Sequence, residues 1–151
     1  MNQANKLLEI AQKVVADTPD FFLTKGPGLG DRATIAFMGN LHDLASQEFG
    51  SDYAEQSICG NNSFRVDYYF PSDATIVEVA LGLSKPKTEF EKDILKAIMA
   101  KEAGHEVERL VFISKPGALK KCSQPGRRAI IDWLLRNDGI ATEVHELELR
   151  S

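Results

Sequence analysis

The sequence predicts an α/β fold, a mixed central sheet of about four strands flanked by helices. Three observations carry that prediction. Apolar residues recur at helical spacing in four segments, the period drops to two across a short central stretch, and Leu110-Val111-Phe112-Ile113 is a continuous apolar run suited to a strand buried on both faces. In chain order the elements read helix, helix, strand, strand, helix, strand, helix, strand. A hairpin feeding a helical crossover gives antiparallel and parallel pairing in one sheet.

Each element has its own signal. Residues 4–16 place Leu7, Leu8, Ile10, Ala11, Val14 and Val15 at helical spacing, and the pattern stops before Asp17-Thr18-Pro19-Asp20. A glycine-rich stretch, Lys25 to Asp31, separates this helix from a second that starts near Arg32 and ends at Phe49-Gly50. From Phe64 to Phe70 the residues alternate, with Phe64, Val66, Tyr68 and Phe70 on one face and Arg65, Asp67 and Tyr69 on the other. Pro71-Ser72-Asp73-Ala74 is a turn, and the β-branched run from Thr75 to Leu81 completes a hairpin. Thr88 suits the N-cap of a third helix, with Glu89 and Glu91 in its first turn and Phe90, Ile94, Ala97, Ile98 and Ala100 as its apolar residues up to Gly104. Val107–Ser114 follows as a strand, Pro125–Asn137 as a helix and Ile140–Leu149 as the last strand.

The 151 residues suit one domain, 1–151, in which 1–31 is an N-terminal helix with its glycine-rich linker and 32–151 is the α/β core. Eighteen basic against 22 acidic residues give a net charge of −4, which argues against a general nucleic-acid coat and leaves room for a local basic patch. Cys59 and Cys122, the two cysteines, have no metal-ligand spacing. A reducing, cytoplasmic setting is expected. With no apolar signal core and no run of about 18 apolar residues, no membrane partner is expected.

The hairpin carries the chemistry. With residues 71–74 as the loop, Phe70 faces Thr75, and counting back places Asp67 opposite Glu78 on one face. Two carboxylates across a ladder repel, and a hard divalent cation, Mg²⁺ or Mn²⁺, would relieve the repulsion. The simpler alternative is a solvated face. Glu78 stands between Ile76 and Ala80, so its face is not generally polar. In the second helix Phe37, Leu41, Leu44 and Glu48 follow one stripe, which makes Glu48 a third candidate ligand, or an acid that emerges into solvent at the helix end.

Asp67, ten intervening residues and then Glu78-Val79-Ala80, with a helix before the hairpin and an alternating tail after it, resembles the PD-(D/E)xK nuclease superfamily, over roughly residues 32–149. The resemblance implies a restriction-endonuclease-like fold in which Asp67 and Glu78 bind Mg²⁺, Glu48 completes the shell, and a lysine assists the attacking water. Val66 replaces the motif's proline, and Ala80 replaces its lysine. Members of the superfamily move this lysine to a neighbouring element. Lys85, Lys87, Lys92 and Lys96 follow closely; Lys92 and Lys96 lie one turn apart on the third helix, away from Phe90, Ile94 and Ile98. Their simpler role is surface pairing with Glu89 and Asp93 at i,i+3.

Residues 115–128 contain Lys115, Lys120, Lys121, Arg127 and Arg128 and no acid. With Gly117, Pro125 and Gly126 leading into a helix, this segment suits a phosphate backbone, or is an ordinary solvated loop. The glycine-rich stretch at 25–31 lacks a P-loop ending and reads as a linker. His42, His105 and His145 are scattered, Cys59 and Cys122 read as bystander thiols, and Trp133 as core. Together these features predict a metal-dependent nuclease acting on DNA. The alternative is the same fold without catalysis, binding nucleic acid or protein, with a homodimer or a partner protein supplying specificity.

Overall fold

In the computed structural model, residues 2–18, 21–22, 29–84 and 89–148 are described, the side chains of 29–31 excepted. Helices α1 (Gln3–Ala16) and α2 (Leu29–Phe49) precede strands β1 (Ala54–Gln56), β2 (Val66–Phe70) and β3 (Thr75–Val79). Helix α3 (Glu89–Glu102), strand β4 (Arg109–Ser114), helices α4 (Ala118–Cys122) and α5 (Pro125–Asp138) and strand β5 (Ala141–Glu146) complete the chain. The sheet has five strands in the order β1-β2-β3-β4-β5, one more than expected. The extra strand, β1, is three residues long and carries no alternation that a sequence reading could detect.

The pairing is antiparallel for β1 with β2 and β2 with β3, and parallel for β3 with β4 and β4 with β5. Parallel neighbours need a crossover, which α3 supplies between β3 and β4 and α4 with α5 supply between β4 and β5. The predicted turn is a single 3-10 turn over Pro71–Asp73 that closes on Ala74 in the left-handed region, at φ 48°. It sets the register foreseen for the hairpin, with Phe70 opposite Thr75. All four predicted strands, β2, β3, β4 and β5, are shorter than predicted. The glycine-rich linker also ends sooner, with α2 beginning at Leu29; Lys25–Gly28, Lys85, Lys87 and Thr88 lie outside the described residues.

Two compact units divide the chain, Met1–Asp52 with Leu147–Ser151, and Tyr53–Glu146. The division therefore falls after α2 rather than at the linker before it. In the first unit α1 buries Leu7, Ile10, Ala11 and Val14, while α2 buries Phe37, Leu41 and Ala45. Phe21 and Phe37 pack with ring centroids 4.9 Å apart. In the second unit, one face of the sheet joins α3 and α5 in a core that includes Ile76, Leu110, Phe112, Phe90, Ile94, Ala97 and Leu134. Trp133, expected in the core, is 42% exposed, because Leu134 takes the inward position on α5. None of the described helices is long and apolar enough to cross a membrane.

Candidate active site

The sheet brings Asp67 and Glu78 together. Tyr68 pairs with Val77, so the next rung sets Asp67 against Glu78. Beyond that last main-chain pair the side chains make the cross-strand bonds. The Asp67 N–H donates to Glu78 Oε1 at 2.8 Å, and the Val79 N–H donates to Asp67 Oδ2 at 2.7 Å. Each acid is held by the opposite strand's backbone and keeps one oxygen outside these two bonds.

A lysine completes the pair. Lys96 on α3 places Nζ 2.6 Å from Glu78 Oε2 and 3.2 Å from Asp93 Oδ1, and donates to the Arg65 carbonyl at 2.7 Å. Glu78, Asp93 and Lys96 are 2%, 5% and 7% exposed, so this is an interior charge cluster. The Glu78 contact is close and ionic, but no donor is aligned with Oε2 for a hydrogen bond. The Cys59 thiol donates to the Lys96 carbonyl at 3.5 Å, which ties the segment before β2 to the same turn of α3.

The electrostatics follow from burial. Three carboxylates around one ammonium carry more negative charge than the lysine balances, so the cluster retains protons. Desolvation, with Asp93 and Asp67 adding repulsion, pushes the Glu78 carboxyl up to about 9 against the opposing pull of Lys96. Desolvation also raises Asp67, to about 6, although the Val79 N–H favours its charged form. Burial raises Asp93 too, while its acid neighbours hold the Lys96 ammonium protonated against the cost of desolvation. Glu55 adds to the field at Asp67. The β1–β2 register, Ala54 to Tyr68 and Gln56 to Val66, puts Glu55 on the rung facing Asp67, in a left-handed conformation at φ 53°.

Asp93 was legible only as a surface partner for Lys96. Its spacing from Phe90, Ile94 and Ala97 already put it on the apolar side of α3, and all four are buried. Lys96, read as lying away from that side, is buried as well, because the seam of α3 also includes position 96 and leaves Ile98 only partly covered. Lys92 is exposed.

Glu48 has a different partner. Its carboxylate lies 3.2 Å from Lys6 Nζ of α1, with the Glu48 side chain 49% exposed. The stripe foreseen on α2 turns at Ala45, which is buried while Leu44 is 42% exposed, and Glu48 emerges at the helix end.

The basic segment is not one surface. Arg127 is buried with its guanidinium 5.0 Å from the Phe90 ring centre, donates to the Leu83 carbonyl and reaches Cys122 Sγ at 3.7 Å, so it supports the core instead of facing a phosphate. Arg128 is exposed and pairs with Asp132 at 3.4 Å. Lys120 is exposed on α4, while Lys115 and Lys121 are partly covered. The backbone N–H groups at the start of α4 already hold an anion of the chain itself. Gly117 and Leu119 donate to Glu146 Oε2 at 3.0 and 2.9 Å. His42 pairs with Asp52 and His145 with Glu143.

Among the described residues no group of three or more His, Cys, Asp and Glu side chains has metal-holding geometry. Magnesium asks for less, since it keeps most of its waters and commonly takes one or two carboxylates with the substrate's phosphates. Asp67 and Glu78 fit that smaller demand, being hard oxygen donors fixed by backbone bonds on facing strands. Comparison of the chain with protein-family models, with curated proteins and with solved structures finds no match.

Proposed function

We propose that the chain is a metal-dependent nuclease hydrolysing DNA phosphodiester bonds, of the PD-(D/E)xK type and restriction-endonuclease-like in fold, with Lys96 in place of the lysine that Ala80 omits. The observation that carries this reading is the Lys96 ammonium 2.6 Å from Glu78, supplied by the helix that follows the hairpin. Asp67 and Glu78 are the residues that would hold Mg²⁺ or Mn²⁺. A bound divalent ion there polarises a phosphoryl oxygen and makes water a better nucleophile at neutral pH.

The chain's own residues do the rest. Asp67 and Glu78 are oriented by backbone bonds and need no rearrangement of their strands. Lys96 keeps a positive charge beside the acids, where it offsets negative charge building on a phosphate. Lys120 and Lys121 on α4 are the cations of the 115–128 segment left for the nucleic-acid backbone. Such contacts position a duplex without reading its bases, so a homodimer or partner protein supplies any sequence preference.

The test is incubation of purified protein with plasmid and with single-stranded DNA in Mg²⁺, Mn²⁺ or EDTA, beside Asp67→Ala, Glu78→Ala and Lys96→Gln. Metal-dependent cleavage that all three variants lose is the expected result. Cleavage that survives in Asp67→Ala or Glu78→Ala removes the mechanism. A second reading, a nuclease-like fold that binds without cleaving, is favoured by Ala80 together with the enclosure of Lys96 by three oxygens. It predicts DNA or protein binding with no cleavage in any metal.

A further inference from the structure

Lys96 has one oxygen neighbour for each of its three N–H groups, Glu78 Oε2, Asp93 Oδ1 and the Arg65 carbonyl. In this arrangement all three oxygens around the ammonium belong to the chain, two of them from buried acids. The three neighbours are not equivalent. The Arg65 carbonyl is a directed main-chain acceptor, Asp93 sits one turn back on the same helix, and Glu78 Oε2 belongs to the pair of acids on the hairpin. A divalent cation at Glu78 has to take that oxygen from Lys96. What then keeps the lysine beside the site is Asp93, the one remaining anion in contact with it.

We infer that Lys96 and a divalent cation compete for Glu78, and that Asp93 is the positioning residue that retains Lys96 once Glu78 is surrendered, freeing one N–H for the reacting groups. The inference rests on the reading of Asp67 and Glu78 as a divalent-cation site. Asp93 has no ligand role in it; it acts through Lys96. Two consequences follow. Removing Lys96 strengthens cation binding, because the competitor is gone. Removing Asp93 weakens it, because Lys96 is then left with Glu78 and the Arg65 carbonyl alone and holds Glu78 more firmly.

An acid acting only through its own field would also weaken cation binding when lost, so a double-mutant cycle separates the two. Dissociation constants for Mn²⁺ alone are measured by calorimetry for wild type, Asp93→Asn, Lys96→Gln and the double variant, with circular dichroism to verify folding. The expected pattern is about tenfold weaker binding in Asp93→Asn, the size usual for groups that orient a metal's ligands, tighter binding in Lys96→Gln, and almost no effect of Asp93→Asn in the Lys96→Gln background. Asp93→Glu restores wild-type affinity. Equal effects of Asp93→Asn in both backgrounds overturn the inference while leaving the cation site intact. Absence of Mn²⁺ binding in wild type overturns both.

The Lys96 ¹⁵Nζ resonance of the wild-type chain supplies a second measurement that needs no folded glutamine variant. It is expected to shift on addition of Mg²⁺. A resonance unmoved at saturating Mg²⁺ overturns the inference.

Discussion

Lys96 is the residue whose loss the fold feels most directly. Lys96→Gln leaves Glu78 and Asp93 buried without their cation, and breaking a buried pair from one side typically costs about 3–5 kcal/mol. Urea unfolding in a metal-free buffer near neutral pH measures it, and Mg²⁺ is expected to recover part of the loss. The acids give the opposite kind of dependence. A carboxyl whose folded pKa lies above its unfolded value holds its proton more tightly in the folded chain, so its contribution falls as pH rises between the two values. For Asp67 that decline runs from about 4 to about 6, and for Glu78 it extends to about 9. Chemical denaturation from pH 4 to 9 without metal is therefore expected to show these acids lowering stability as pH rises. Glu78→Gln flattens that slope. An unchanged slope in the variant would place the retained proton elsewhere.

At the scale of elements, the hairpin was legible and the basic segment was not. The Pro71–Asp73 turn and two alternating runs settle which residues face each other, and Asp67 meets Glu78 by local arithmetic alone. Residues 115–128 carry five cations of one sign but three different environments, because α4 and α5 rotate each side chain separately. Arg127 is the clearest case. Its loss removes a donor to the Leu83 carbonyl and a cation stacked on Phe90. Arg127→Ala is expected to cost about 2–4 kcal/mol by urea unfolding, whereas Arg128→Ala, on an exposed pair, stays within about 0.5 kcal/mol. Gly117 is the second constraint on this segment. At φ 103°, with Ser84 Cβ 3.2 Å from where a Cβ would sit, it opens α4 so that its backbone can hold Glu146. Gly117→Ala strains both and destabilises the chain.

For the whole molecule, a net charge of −4 means that any grip on DNA is local. Replacing Lys120 and Lys121 together by Ala is expected to weaken DNA binding alike on all sequences and to reduce the slope of log affinity against log salt by about 1–2. Titrations at several salt concentrations in Ca²⁺ or EDTA measure it, and an unchanged slope would exclude α4 from the interface. By itself the sequence determined the α/β class, the hairpin register and the meeting of Asp67 with Glu78, because alternation and turn chemistry act between neighbours in the chain. It also offered both Lys92 and Lys96 as candidate lysines on the third helix. Only the tertiary structure separates the two, burying Lys96 against Glu78 and Asp93 and leaving Lys92 exposed. It likewise gave Glu48 to Lys6 and Arg127 to the core, and added β1 with Glu55. The physical reason is that a charge's role depends on which distant group shares its burial. Helical periodicity gives the direction of a side chain, but only packing decides what stands there to meet it.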